Sequence, residues 1–134
     1  MNKHYQVVAA IIIQNNKILC VQRNQSKYDY ISYKYEFPGG KIEFNETDEE
    51  ALTREIKEEL NLKIDALKYF TEITHHYPDF SITMKAFTCK SINEDLQLKE
   101  HVDFKWLSQH ELNGLDWAAA DVPIVDQLIN SYVN

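Results

Sequence analysis

Glycine is scarce in this chain, with three in 134 residues, two of them adjacent at Gly39-Gly40. Three prolines and no Gly/Pro-rich stretch offer no linker, so residues 1–134 are read as one domain. Two cysteines, Cys20 and Cys89, exclude a disulfide framework and a cysteine metal cluster. Both lie in apolar stretches and are expected as buried free thiols. The longest apolar run, Val7 to Ile13, is too short to span a bilayer, and no basic-led signal segment is visible. Positive charge is also short: 14 Lys and Arg face 21 Asp and Glu, for a net −7, which disfavours binding to duplex nucleic acid. These absences point to a cytoplasmic protein without membrane contact; a monomer is taken as the default, with a dimer as the alternative.

The negative charge is concentrated. Residues 43–59 hold eight acids against Arg54 and Lys57, a balance of −6, while the other 117 residues are near neutral at −1. Val- and Ile-rich segments over His4–Ile13 and Lys17–Arg23 predict two strands joined by Asn15-Asn16, residues that tolerate positive φ. Asn24–Lys34 has no period and reads as a loop. Ala51, Leu52, Ile56 and Leu60 recur at helical spacing, so Thr47–Leu60 predicts an amphipathic helix with Thr47 or Asn45 as its cap. Strands are expected over Lys63–His76, Phe80–Cys89 and His101–Leu107, and a closing helix over about Asp121–Tyr132, with Pro123 in its first turn. The order is that of an α/β layered domain around a mixed sheet.

Two features carry chemistry. Pro38-Gly39-Gly40 reads as a tight turn or as a place where backbone approaches a ligand closely. Glu55, Glu58 and Glu59 fall at i, i+3 and i+4, on one side of a helix. Three like charges so placed are either a solvated face or oxygen ligands for a hard cation such as Mg²⁺.

The run Gly40-x5-Glu46-x7-Arg54-Glu55-Ile56-x-Glu58-Glu59-x-Asn61-Leu62 resembles the Nudix box, G-x5-E-x7-R-E-U-x-E-E-x-G-U with U aliphatic. Asn61 replaces the penultimate glycine; the position ends the helix, where Asn is the next most tolerant residue of a left-handed conformation. Tyr35-Glu36-Phe37-Pro38-Gly39-Gly40-Lys41-Ile42-Glu43, Glu100-x5-Trp106 and Ala120-Asp121-x-Pro123 extend the likeness to the MutT branch over nearly the whole chain. The resemblance implies a Nudix fold, an αβα sandwich, with Mg²⁺ as cofactor and Mn²⁺ as a substitute. It also implies cleavage of nucleoside triphosphates to a monophosphate and pyrophosphate.

Carried over residue by residue, the resemblance makes Glu55, Glu58 and Glu59 metal ligands, with Gly40 supplying a carbonyl. Glu100 becomes an auxiliary ligand or water-activating base, its alternative being one more exposed loop acid. Arg54 is read as a structural partner orienting a box glutamate by bidentate pairing, with Glu46 on its other side. Arg23 and Lys41 are the phosphate-binding candidates. Tyr5, Val7, Phe37, Tyr77, Phe80 and Ile82 are candidates for an apolar base slot. Asp121 stands where MutT has Asn and cytidine-active relatives have Asp; ionised it suits guanine's donors, and protonated it suits cytosine or adenine. Its alternative is a plain helix N-cap. His75 and His76, adjacent on a strand, face opposite ways and are given no catalytic role, while Trp106 and Trp117 are read as packing anchors.

The functional expectation is nucleotide-pool sanitisation in the service of DNA repair: hydrolysis of modified (deoxy)nucleoside triphosphates such as 8-oxo-dGTP. The first alternative is CTP, dCTP or 5-methyl-dCTP as substrate. An alternative of another class is a catalytically silent nucleotide sensor, disfavoured by the intact Glu55, Glu58 and Glu59.

Overall fold

A computed structural model describes residues 3–131 of the chain. Its spine is strand β1 (Lys3–Gln14), which turns through Asn15 and Asn16, at φ 52° and 63°, into β2 (Lys17–Gln22). Ile13 pairs with Ile18 across this hairpin. β3 (Tyr35–Glu36), β4 (Gly39–Lys41), helix α1 (Asp48–Leu60), β5 (Ile64–His76), β6 (Phe80–Ser91) and β7 (Asp103–Leu107) follow. A 3₁₀ helix (Gln109–Gly114), a 3₁₀ turn (Ala119–Asp121) and α2 (Val122–Ile129) complete the order. Tyr132, the expected end of the last helix, lies outside the described residues.

The strands form a mixed sheet in the order β3-β2-β1-β6-β5, with β4 also on β1 and β7 also on β2. β1 and β6 run parallel with Tyr5 opposite Ile82; the other pairings are antiparallel. Strand periodicity sorts side chains into two layers. Val8, Ala10 and Ile12 pack with Ala51, Leu52, Ile56 and Leu60 of α1. Ala9 and Ile11 pack with Ile124, Val125 and Leu128 of α2. Each buried Leu or Ile contributes ~1.5–3 kcal/mol of apolar transfer, so the two helices are held chiefly through the strands between them. The expected αβα sandwich is what the chain forms. Among the described residues, no helix is long and apolar enough to cross a membrane.

Local chemistry fixes α1 at both ends. Thr47 Oγ1 accepts from the Glu50 N–H at 3.1 Å while Glu50 returns a carboxylate oxygen to the Thr47 N–H at 2.9 Å. Asn45, the other candidate cap, sits upstream at φ 66°. Asn61 ends the helix at φ 58° and ψ 27°, the left-handed geometry expected where the box has glycine. The closing helix is shorter than its periodicity suggested, running Val122–Ile129 with Pro123 in its first turn.

The glycine pair corrects the tight-turn reading, while both glycines also line a cleft. Gly39 and Gly40 are neither a turn nor at positive φ; they are strand residues paired with Ala9 and Val8. A Cβ on Gly39 would lie 1.9 Å from the Val8 carbonyl oxygen, and one on Gly40 would lie 2.4 Å from the Glu55 carboxylate. The close approach that glycine permits is made by the protein to itself. The Gly39–Lys41 strand thereby comes against both the sheet and α1.

Candidate active site

Arg54 organises the acidic segment. Its Nε and one terminal nitrogen donate to both oxygens of Glu46, at 2.6 and 2.9 Å. Its other terminal nitrogen donates to Glu55 at 2.8 Å and to Glu58 at 3.2 Å. The Lys41 carbonyl accepts a further bond at 3.1 Å, which ties β4 to the helix. The bidentate fork was expected on a box glutamate of the helix. It falls on Glu46, which also accepts from the Glu43 N–H at 2.8 Å, while the helix glutamates Glu55 and Glu58 take single bonds. This pairing with Arg54 lowers the Glu46 carboxyl pKa.

Glu59 differs from its two neighbours. Glu55 and Glu58 are held by Arg54, whereas Glu59 lines a cleft of about 570 Å³, and its Oε2 is buried without a partner. Burial, and then the nearby charges of Glu55, Glu36 and Glu100, push its carboxyl up to about 9. Glu100 lies in the exposed loop before β7 and lines the same cleft. That loop is tied to the end of α1 by Lys99 N–H donating to the Glu59 carbonyl at 3.2 Å.

The other end of the cleft is apolar and aromatic. Tyr5, Val7, Phe37, Tyr77, Phe80 and Ile82, individually anonymous in the sequence, all line it. The parallel β1–β6 register brings Tyr5 opposite Ile82 and seats the Phe80 ring 5.9 Å from that of Tyr5. Phe37 is at the same time a core residue, 4.7 Å from the Trp117 ring. Arg23, Gly40 and Lys41 share the lining, and Lys41 Nζ stands 4.0 Å over the Tyr5 ring. The structure therefore brings twelve candidates into one cleft and leaves Glu46, Arg54, Glu55 and Glu58 out of its lining, with the Glu55 carboxylate close behind Gly40.

Asp121 is 4% exposed and lines the cleft. Although α2 starts directly after it, its side chain makes no capping bond and instead accepts from the Phe37 N–H at 2.9 Å. The plain N-cap reading is thus set aside. Burial, with the charge of Glu36, raises its carboxyl well above the ordinary range; the Phe37 bond and Arg23 pull only partly back. Tyr77 sits beside it with its hydroxyl accepting from the Ala120 N–H at 3.0 Å.

Sequence reasoning missed Glu36, His101 and Tyr28. Glu36 accepts from Arg23 at 3.1 Å on one oxygen and pairs with His101 Nε2 at 3.0 Å on the other. Its signal was a single acid between the buried aromatics Tyr35 and Phe37. Tyr28, from the loop over 24–34, packs on Phe80 at 5.5 Å and on Tyr30 at 5.4 Å. His75 and His76 follow the strand reading, His75 edge-on to Tyr77 at 4.4 Å and His76 bonded to Ser81. Trp117 is buried with its Nε1 donating to Leu112, Trp106 packs at the margin of the α1 layer, and both cysteines are buried free thiols.

The donor set suits a hard divalent cation. Glu59 offers an orphaned buried oxygen and Glu55, Glu36 and Glu100 surround it with further carboxylates, while the His101 Nε2 in the same lining is taken up by Glu36. Among the described residues, no three acid, His or Cys side chains already converge at coordinating distance, because Arg54 holds Glu55 and Glu58.

The sequence model of the NUDIX domain matches residues 4–128. The chain is 32% identical over 127 residues to an 8-oxo-dGTP diphosphatase of Escherichia coli K12, covering 94% of this chain and 97% of that one. It is 33% identical over 124 residues to a CTP pyrophosphohydrolase of the same organism, covering 92% and 90%. Among solved structures it resembles a protein of methicillin-resistant Staphylococcus aureus 252, a DNA mismatch repair protein MutT of the Nudix hydrolase family. That likeness has a TM-score of 0.74 and 39% identity, covering 97% of this chain and 98% of the other. A fold, a box and a cleft read from the chain itself thus coincide with these likenesses, and the chain belongs to the Nudix hydrolase family.

Proposed function

We propose that this chain is a divalent-cation-dependent nucleoside triphosphate pyrophosphohydrolase, acting on modified nucleotides such as 8-oxo-dGTP and releasing a nucleoside monophosphate and pyrophosphate. The observation that carries the reading is the cleft, which gathers the aromatic and apolar side chains, Arg23 and Lys41, and the carboxylates of Glu59 and Glu100 in one lining. Tyr5, Val7, Phe37, Tyr77, Phe80 and Ile82 take the base, and Asp121 reads its edge. Arg23 and Lys41 meet the phosphate chain. Glu55, Glu58 and Glu59, with the Gly40 carbonyl and Glu100, hold the cation, and Glu59 or Glu100 accepts the proton of the attacking water. Glu58, the more exposed of the two helix glutamates paired with Arg54 at 59% against 14% for Glu55, is the one that would turn most readily to a cation. When bound, Mg²⁺ or Mn²⁺ neutralises the phosphate oxygens and acidifies water.

Incubation of the pure protein with a nucleotide panel and Mg²⁺, with product identification, tests the reading. Monophosphate and pyrophosphate are expected; orthophosphate release overturns it. Glu58→Gln is expected to lower turnover on the order of 100-fold with an unchanged unfolding curve, the size seen when charge stabilisation at a reacting phosphate is removed.

The state of Asp121 favours a second substrate class. Burial moves the Asp121 carboxyl toward its protonated form, and that form presents one donor beside one acceptor, the pattern that the N3 and N4 edge of cytosine complements. CTP, dCTP and 5-methyl-dCTP therefore belong on the panel. Asp121→Asn keeps a donor and an acceptor, so it is expected to hold the ratio of cytosine to 8-oxoguanine rates if Asp121 is neutral. A shift of that ratio toward cytosine assigns the ionised form to the wild type.

A further inference from the structure

The Arg23 guanidinium does not stand alone in the cleft. Three neighbouring strands converge on it: β2 ends at Gln22, β3 pairs Glu36 with Val21, and the segment entering β7 runs antiparallel beside β2. The Val102 N–H donates to the Gln22 carbonyl at 3.0 Å, which sets His101 next to the end of β2. Glu36 then bridges the other two side chains, one oxygen to Arg23 at 3.1 Å and the other to His101 at 3.0 Å.

His101 is buried, its side chain 6% exposed, although it follows the exposed Glu100 and precedes a half-exposed valine. A carboxylate oxygen offers only lone pairs, so Nε2 carries the proton in this bond. Nδ1 is buried without a partner, so the ring has Glu36 as its polar contact among the described residues. Arg23 is likewise desolvated along its Nε edge, which is buried and unpartnered, while the side chain as a whole is 39% exposed and lines the cleft. A long side chain with four rotatable bonds is thus anchored through one carboxylate, and that carboxylate through one imidazole. Without His101, Glu36 keeps only Arg23 as a polar partner at its carboxylate among the described residues.

We propose that His101 is a positioning residue: through Glu36 it fixes the Arg23 guanidinium at the point between the apolar slot and the carboxylates where a substrate phosphate is met. The inference rests on the reading of Arg23 as a phosphate contact. His101 touches no substrate itself. Its contribution is the entropy and geometry of Arg23, so its loss acts on binding of the phosphate chain.

A double-mutant cycle tests the proposal with steady-state kinetics on the best nucleotide of the panel and Mg²⁺. His101→Ala is expected to raise KM ~10-fold with kcat within ~2-fold, the pattern of an interaction present equally in ground and transition states. In an Arg23→Ala background the same substitution is expected to change KM less than ~2-fold, because the group it positions is gone. An undiminished ~10-fold loss in that background overturns the positioning role and leaves the phosphate reading of Arg23 intact. An Arg23→Ala enzyme with wild-type KM and kcat overturns both. His101→Gln and His101→Asn keep the test open if the alanine variant does not fold. Gln places its N–H where Nε2 stands and is expected to restore KM; Asn places it at Nδ1 and is not. Equal behaviour of the two refutes the Nε2–Glu36 linkage.

Discussion

Glu59 is where the metal-free chain sacrifices stability, and the cost can be measured. Its carboxyl is pushed up to about 9 in the folded chain and returns to the ordinary 4.5 when the chain unfolds. Between these values the folded state holds a proton that the unfolded state has lost, so stability falls as pH rises, by ~1.4 kcal/mol per pH unit at the limit. The contribution is whole below pH 4.5, shrinks through neutrality and is exhausted above pH 9. Relative to a neutral isostere this amounts to ~3 kcal/mol at pH 7 at most, and to ~1–2 kcal/mol once the carboxylate rotates toward water. Glu59→Gln in EDTA is therefore expected to be more stable than wild type at pH 7 by that amount, or by roughly 4–8 °C in Tm. The advantage is expected to vanish near pH 4.5 and to widen at pH 8.5. Urea unfolding of both proteins at pH 5, 7 and 8.5 reads this directly. Added Mg²⁺ is expected to raise the wild type and leave the variant in place, closing the gap. A variant less stable than wild type at all three values, or a gap independent of pH, refutes the placement of Glu59 as a desolvated carboxylate.

The adjacent glycines are expected to part in phenotype. Gly39→Ala drives a methyl into the Val8 carbonyl oxygen at 1.9 Å, which no rotamer relieves, and is expected to cost ~3 kcal/mol or more by urea unfolding. Gly40→Ala meets the Glu55 carboxylate at 2.4 Å, a side-chain end that can turn aside at the cost of its bond to Arg54, so an unfolding curve within ~1 kcal/mol of wild type is expected, with nucleotide turnover at least ~10-fold lower. Ala66 sits at φ 56° in the irregularity between β5 and β6; Ala66→Gly is expected to raise stability by ~0.5–1 kcal/mol, and a lower Tm counts against strain there.

What the sequence disclosed follows from how local each signal is. The α1 helix was legible because its cap, its apolar spacing and its αL terminus at Asn61 are written within a few residues. The Asn15-Asn16 hairpin was legible for the same reason. β3 and β4 were not, since two or three residues containing two glycines carry no strand pattern; pairing with β1 and β2 makes them strands. The aromatic slot was nameable only with the help of a family likeness. Tyr5 and Ile82 become neighbours through a parallel register across 77 positions of chain. Glu36 and His101 stayed hidden because they meet across β2, 65 residues apart in sequence. Asp121 looked like a cap in sequence because it precedes a helix, while its actual partner, the Phe37 N–H, lies 84 residues away.

β1 also separates two kinds of change. Its even-numbered side chains Val8, Ala10 and Ile12 support the helix that bears the glutamates, while Val7 and Ile82 pack with the α2 layer on the opposite face. Substitutions at Tyr5, Val7 or Ile82 reach the core of α1 only through a strand whose inner residues stay in place. On the proposed reading of the cleft, the side chains that would set nucleotide preference and those that support the acidic helix are thus packed in different layers, so the first can be exchanged without repacking the second.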